Sequence, residues 1–134
     1  MCLFIGFRYY VSFILSQPGP VGGSGGGAID IRCGQLINAG SILANGAVGG
    51  SFNTHCCSGA GGGSGGSISI IAAVIVHEAA SVIEAVGGAG GHATNIYTQW
   101  ASAGGQGGDG RIRLLASQRF DGQPRRCVPA PVLI

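Results

Sequence analysis

The chain has 134 residues, and 28 of them are glycine, about three times average usage, while only 9% are charged against roughly 25% in an ordinary soluble domain. All seven basic residues are arginine and the formal net charge is +2. This excludes a collagen, which needs glycine at every third position with abundant proline. It excludes a charged disordered tail, and it argues against a nucleic-acid partner, because so little positive charge cannot neutralise phosphates.

Residues 1–20 stand apart. Met1 to Leu15 is apolar and aromatic and is broken by Gln17-Pro18-Gly19-Pro20. A signal peptide or membrane anchor is one reading. Arg8 within the run, the lack of a preceding basic residue and the lack of a small-residue cleavage site favour the other, a first strand or cap. The run is also shorter than the roughly 20 residues of a spanning helix.

Residues 21–118 repeat. Three glycine-rich tracts, residues 22–27, 59–66 and 104–110, each lead into an alternating run: Ala28-Ile29-Asp30-Ile31-Arg32, Ser67-Ile68-Ser69-Ile70-Ile71 and Arg111-Ile112-Arg113-Leu114-Leu115. The spacings from Ile29 to Ile68 and from Ile68 to Ile112 are 39 and 44 residues, a period of about forty. A second element also recurs: Leu36 to Gly46 aligns with Ile75 to Ala85, and each is followed by Gly-Gly. Period-two alternation predicts strands with one buried face. Ile29, Ile31, Ile68, Ile70, Ile112 and Leu114 point inward, and Asp30, Ser69 and Arg113 stack outside. Ile70 to Ala85 is alanine-rich enough to suggest a helix, but its β-branched residues and its alignment with the earlier unit favour strands.

The recurrence of the glycine tracts at matching points argues for ordered structure over flexible linkers. Two ordered uses are open: corners with positive φ and close backbone approach, and extended segments packed side by side in polyproline-II form. Residues 119–134, with Pro124, Pro129 and Pro131, read as an irregular tail, so the third unit is expected to stop after its first strand. The expected fold is all-β, a glycine-rich parallel β-helix or solenoid-like repeat of about three coils, the last partial. One such unit cannot bury its apolar face alone, so self-association or stacking with further repeats is expected.

The chemistry-bearing residues are sparse. Cys2, Cys33, Cys56, Cys57 and Cys127 are an odd set that permits one or two bridges and fixes no pairing. His77-Glu78-Ala79-Ala80-Ser81 begins like a zinc-protease helix, but Ser81 stands where the second histidine is required. His55-Cys56-Cys57 with His92 or Cys33 matches no common metal-ligand spacing. The five acidic residues form no convergent pair for glycoside hydrolysis, although Asp30 and Arg32 share one strand face. No cofactor, metal or catalytic residue is assigned. Binding residues are placed instead on two loops: Tyr97 and Trp100 in the non-repeat stretch 92–103, where aromatic rings can stack on sugars, and His55 in 51–58.

The phrases Gly-Gly-Gly-Ser-Gly-Gly-Ser-Ile-Ser-Ile (61–70), Ser-Ile-Leu-Ala-Asn-Gly (41–46) and Gly-Gly-Asp-Gly-Arg-Ile-Arg-Leu (107–114) resemble the glycine-rich repeats of large secreted or cell-surface, adhesin-like proteins. The resemblance covers roughly residues 21–118. It implies a non-enzymatic structural or adhesive module with an extracellular or cell-surface location. The alternatives are a tip that binds a surface glycan or protein through glycine-framed loops and, more remotely, a carbohydrate-active enzyme. The chain is far shorter than such proteins, and its N-terminal stretch fits no repeat unit.

Overall fold

The computed structural model describes residues 2–3, 20–51, 58–93, 102–122 and 126–133. The strands are β1 (Cys2–Leu3), β2 (Ala28–Asn38), β3 (Ser41–Leu43), β4 (Ser67–His77), β5 (Val82–Glu84), β6 (Arg111–Asp121), β7 (Arg126–Val128) and β8 (Val132–Leu133). They form two sheets, one in the order β1-β2-β4-β6-β8 and the other β3-β5-β7, with every pairing parallel. The described residues contain no helix.

The large sheet is built on in-register ladders of the alternating runs. Ile29, Ile68 and Ile112 form one rung, Ile31, Ile70 and Leu114 the next inward one, with Asp30, Ser69 and Arg113 between them on the outside. Ile68, Ile70, Ile112 and Leu114 are buried together with Leu36 and Ile75 farther along the strands and with Ile42 and Ile83 from the small sheet. Each such side chain contributes about 1.5–3 kcal/mol by leaving water. Tight turns connect the sheets: Glu78 N donates to Asn38 O at 3.0 Å and Val82 N to Gly40 O at 2.9 Å, so successive turns stack like the strands they join.

The expected closed β-helix is not what the chain forms. Two separate parallel sheets are present, and the glycine tracts that would have closed each coil are not strands. Five segments, residues 20–27, 44–51, 58–66, 85–92 and 102–110, bond to their neighbours at every third residue instead. Gly23 and Gly26 donate to Gly61 and Ser64, and Gly62 and Gly65 donate to Gly105 and Gly108. These parallel contacts join 20–27, 58–66 and 102–110 into one layer. Segments 44–51 and 85–92 form a second layer, joined by Gly46 N to Val86 O and Gly49 N to Ala89 O. The layers run antiparallel: Ala60, Gly63 and Gly66 donate to Gly50, Ala47 and Ala44, and Gly104, Gly107 and Gly110 to Gly91, Gly88 and Ala85.

A three-residue period is that of polyproline II, which makes no internal hydrogen bonds and so must satisfy its backbone through neighbours. Of the two ordered uses of glycine, the corner with positive φ is absent from these segments; the described glycine with positive φ is Gly122, at 74°.

The C-terminal stretch also departs from expectation. Between Ala72 and Val74 of β4, β6 advances from Ala116 to Arg119, one extra residue, and the bulged strand continues to Asp121. β7 then adds to the small sheet beside β5, and β8 adds to the large sheet beside β6. The third unit therefore has its second strand, and residues 119–134 are not simply irregular.

Candidate functional site

The glycine slab decides where side chains can appear. A Cβ on Gly63 would lie 2.0 Å from Ser24 O, and one on Gly107 would lie 2.0 Å from Gly63 O, so neither position admits a side chain. The strand register makes Ser24, Gly63 and Gly107 equivalent. The serine sits on the segment that has no described layer neighbour beyond it. At the opposite edge, Gln106 and Asp109 take the places of Gly62 and Gly65, whose Cβ atoms would strike Gly88 O and Ala85 O at 1.9 and 2.1 Å. Asp109 Oδ1 accepts from Gly87 N at 3.0 Å, so a side chain there supplies the acceptor that a further segment would otherwise give. The slab is thus bounded by residues that cap it.

This slab frames the two loops to which the sequence assigns binding. Segments 44–51 and 58–66 are antiparallel, as are 85–92 and 102–110, so residues 51, 58, 92 and 102 lie at one end of the slab, opposite the strands. Side chains tie these loop bases together. Ser102 Oγ donates to Ser58 Oγ at 2.8 Å, and His92 N donates to Ser51 Oγ at 3.0 Å. The bases of the two loops are thus held beside each other across the repeat. His55, Tyr97 and Trp100 lie between these anchors in the sequence, and all three fall outside the described residues, as do Cys56 and Cys57.

Elsewhere, polar side chains serve the fold. Asn38 and His77 are partners in the ladder and are 2% and 4% exposed, which places both in the interior. Gly40 N donates to Asn38 Oδ1 at 3.2 Å, which turns Asn38 Nδ2 toward His77 Nδ1 at 3.4 Å. His77 Nδ1 is then the acceptor and the ring proton sits on Nε2, which has no partner. The ring packs against Phe120 with centroids 5.5 Å apart. Burial pushes the imidazole below its ordinary pKa. Glu78, next to His77, is exposed on the other side of the chain, so the two do not converge on a metal. Ser81 is fully buried with an unpartnered hydroxyl. Cys127 packs against the core, and burial raises its thiol pKa.

Asp30 pairs with Arg32 at 3.2 Å on the open face of the large sheet. Glu84 is shared by Arg126 Nε and Asn45 Nδ2, each at 3.0 Å, while Asn45 Oδ1 accepts from Val86 N. No group of three histidine, cysteine or acidic residues converges among the described residues. No helix long and apolar enough to cross a membrane occurs among the described residues.

Sequence reasoning missed the Asn38–His77 pair and the Asp109 cap. Both carried a signal: Asn38 and His77 hold one place in the aligned units, and Asp109 breaks a glycine position that the other units keep. The chain matches no family model, no curated protein and no solved structure.

Proposed function

We propose that this protein is a non-enzymatic structural or adhesive module of a secreted or cell-surface protein. The observation that supports this reading most directly is the glycine slab. Its backbone is bonded at three-residue intervals in two antiparallel layers, and close approach excludes side chains from its interior. Such a slab is a rigid scaffold with little room for a buried reactive cluster, and rigid scaffolds bearing loops are how many proteins place binding residues. A second reading, a tip that recognises a surface glycan or protein, is favoured by the tied loop bases, Ser58 to Ser102 and Ser51 to His92. On that reading Tyr97, Trp100 and His55 supply the contacts. The fixed bases reduce the ordering cost of binding.

The test is binding of the purified chain to a glycan array and to intact cell surfaces, alongside Tyr97→Ala and Trp100→Ala. The tip reading expects wild-type binding that both variants lose while their circular dichroism stays unchanged. A purely structural module binds nothing on the array. Turnover of any polysaccharide, lost on Asp30→Asn, would overturn both readings in favour of an enzyme.

A further inference from the structure

The outer face of the three-segment layer carries a regular grid of backbone groups that the described residues do not use. In a planar trans peptide the C=O of one residue and the N–H of the next point in opposite directions. Ala60 O and Gly63 O accept from Gly91 and Gly88 in the second layer, so the N–H groups of Gly61 and Ser64 point outward. Val21 O and Ser24 O accept from Gly50 and Ala47, which sends the N–H groups of Gly22 and Gly25 outward too. Ala60, Gly63 and Gly66 donate into the second layer, so the carbonyls of Gly59, Gly62 and Gly65 also face out. Segment 58–66 therefore offers one outward donor and one outward acceptor every three residues, segment 20–27 adds outward donors and segment 102–110 outward acceptors, and none has a backbone partner among the described residues.

The side chains on this face are as unusual as its backbone. Gly22, Gly25, Gly61, Gly105 and Gly108 are exposed, and the side chains in the same three-residue phase are Ser64 and, at the loop end, Ser58 and Ser102, which bond to each other. A Cβ at these glycines would meet nothing closer than 3.3 Å, and at Gly105 and Gly108 nothing within 4 Å. The packing of the described residues does not call for glycine there. Inside the slab, glycine is needed where another segment lies against it, in its own layer as at Gly63 or in the next as at Gly62. The outer face of the second layer, in contrast, bears Asn45, Val48, Val86 and Ala89.

The geometry points to this bare face as a homodimer interface, on which the same face of a second copy packs as a further glycine layer. The two layers within the chain already show the required contact: antiparallel segments with a bond every third residue, as in Ala47 N to Ser24 O and Gly88 N to Gly63 O. A second copy laid face to face, its segments antiparallel to those of the first and seated between them, reproduces that arrangement, in which Ala60 bonds to both Gly50 and Gly91 of the facing layer. It sets outward donors against outward acceptors and directs the two large sheets away from each other. The face is complementary to itself apart from a shift of half a segment spacing, and because each copy has one such face the contact stops at two. Its unpaired backbone is a pairing template in the way an open strand edge is. Eight residues at about 3.1 Å each give a face about 25 Å long, so the dimer is a modest one.

Sedimentation of the full chain from about 1 µM to about 1 mM tests this, a range that spans weak to moderate association. Wild type is expected to pass reversibly from monomer to dimer. Gly61→Gln and Gly105→Gln are expected to stay monomeric with unchanged circular dichroism and with melting no lower than that of the wild-type monomer, Ser64→Gly to dimerise more tightly, and Val48→Gln, on the opposite face, to behave as wild type. Gly105→Gln, placed in open space, keeps the test readable if Gly61→Gln folds poorly. A monomer throughout the range, or a dimer lost in Val48→Gln and kept in both glycine variants, overturns the proposal. Neither result depends on whether the loops bind a glycan.

Discussion

Gly63 and Gly105 sit in adjacent segments of one slab, and a methyl group would have opposite consequences at the two. At Gly63 the new Cβ would lie 2.0 Å from a backbone oxygen of the neighbouring segment; at Gly105 it would meet nothing within 4 Å. Both are extended and neither needs positive φ. The difference is purely one of neighbours. Glycine in this chain is a packing residue where segments stack and is dispensable to the monomer where they do not. That contrast can be broken experimentally, and the largest effect is expected at its buried end. Gly63→Ala drives a methyl into backbone that carries its own hydrogen bonds, so segments 20–27 and 58–66 must separate. Overpacking of this kind costs about 3 kcal/mol or more, and in a slab bonded at every third residue the loss spreads. The expected outcome is loss of a cooperative thermal transition; a Gly63→Ala protein that melts like wild type would show that segments 20–27 and 58–66 are not in close contact.

Ile70→Ala compares the slab with the sheet core. Ile70 is fully buried between Ile31 and Leu114 in the ladder, and its truncation leaves a cavity worth about 2–5 kcal/mol. Denaturant unfolding should show a lower midpoint with the transition still cooperative, because a hydrophobic core relaxes around a void more readily than two backbones accommodate an inserted atom.

The same two regions were unequally legible in the sequence. The strands were clear because Ile29, Ile31, Ile68, Ile70, Ile112 and Leu114 alternate with polar residues, and a period of two has one structural meaning. The slab also has a period, with Gly59, Gly62 and Gly65 facing one neighbour and Gly104, Gly107 and Gly110 another. That period is hidden because the intervening positions are largely glycine too. A closed coil was therefore the natural expectation, and the three-residue bonding that replaces it carries no side-chain signature. β7 and β8 escaped because segments of three and two residues beside Pro129 and Pro131 are too short to alternate. The loop bases were anticipated as loops. Their fastening by Ser58, Ser102 and Ser51 could not be, since serine is also the ordinary filler of glycine tracts.

Acid sharpens the comparison from another side, because the turn above the core contains a titrating group and the slab interior does not. His77 is held neutral by burial, with its Nδ1 facing an Asn38 donor. Its folded pKa is lowered while the unfolded value stays near 6.5, so the unfolded chain binds the extra proton first. The contribution is intact above about pH 6.5 and is lost as the pH falls toward the folded pKa. His77→Asn, which copies its ladder partner on the preceding strand, should remove this part of the acid sensitivity. Melting temperatures of wild type and variant at pH 7.5 and pH 5 decide it: an equal drop in both would assign the acid response to other groups.

The smallest expected effect lies at the open end of the comparison. Gly105→Ala adds a methyl in free space at negative φ, where alanine is unstrained and the unfolded chain loses conformational freedom. Substitutions of this type stabilise by about 0.4–1 kcal/mol through the unfolded state alone. In dilute solution, where the monomer prevails, the variant should therefore melt slightly above wild type. At high concentration the sign should reverse if a second copy covers this face, because the methyl then meets a neighbouring backbone as it would at Gly63. One substitution measured at two concentrations thus separates what glycine does for the chain from what it does for the pair. A destabilised monomer at low concentration would mean that the outer layer is already covered within the chain, and the distinction between the two kinds of glycine would fall.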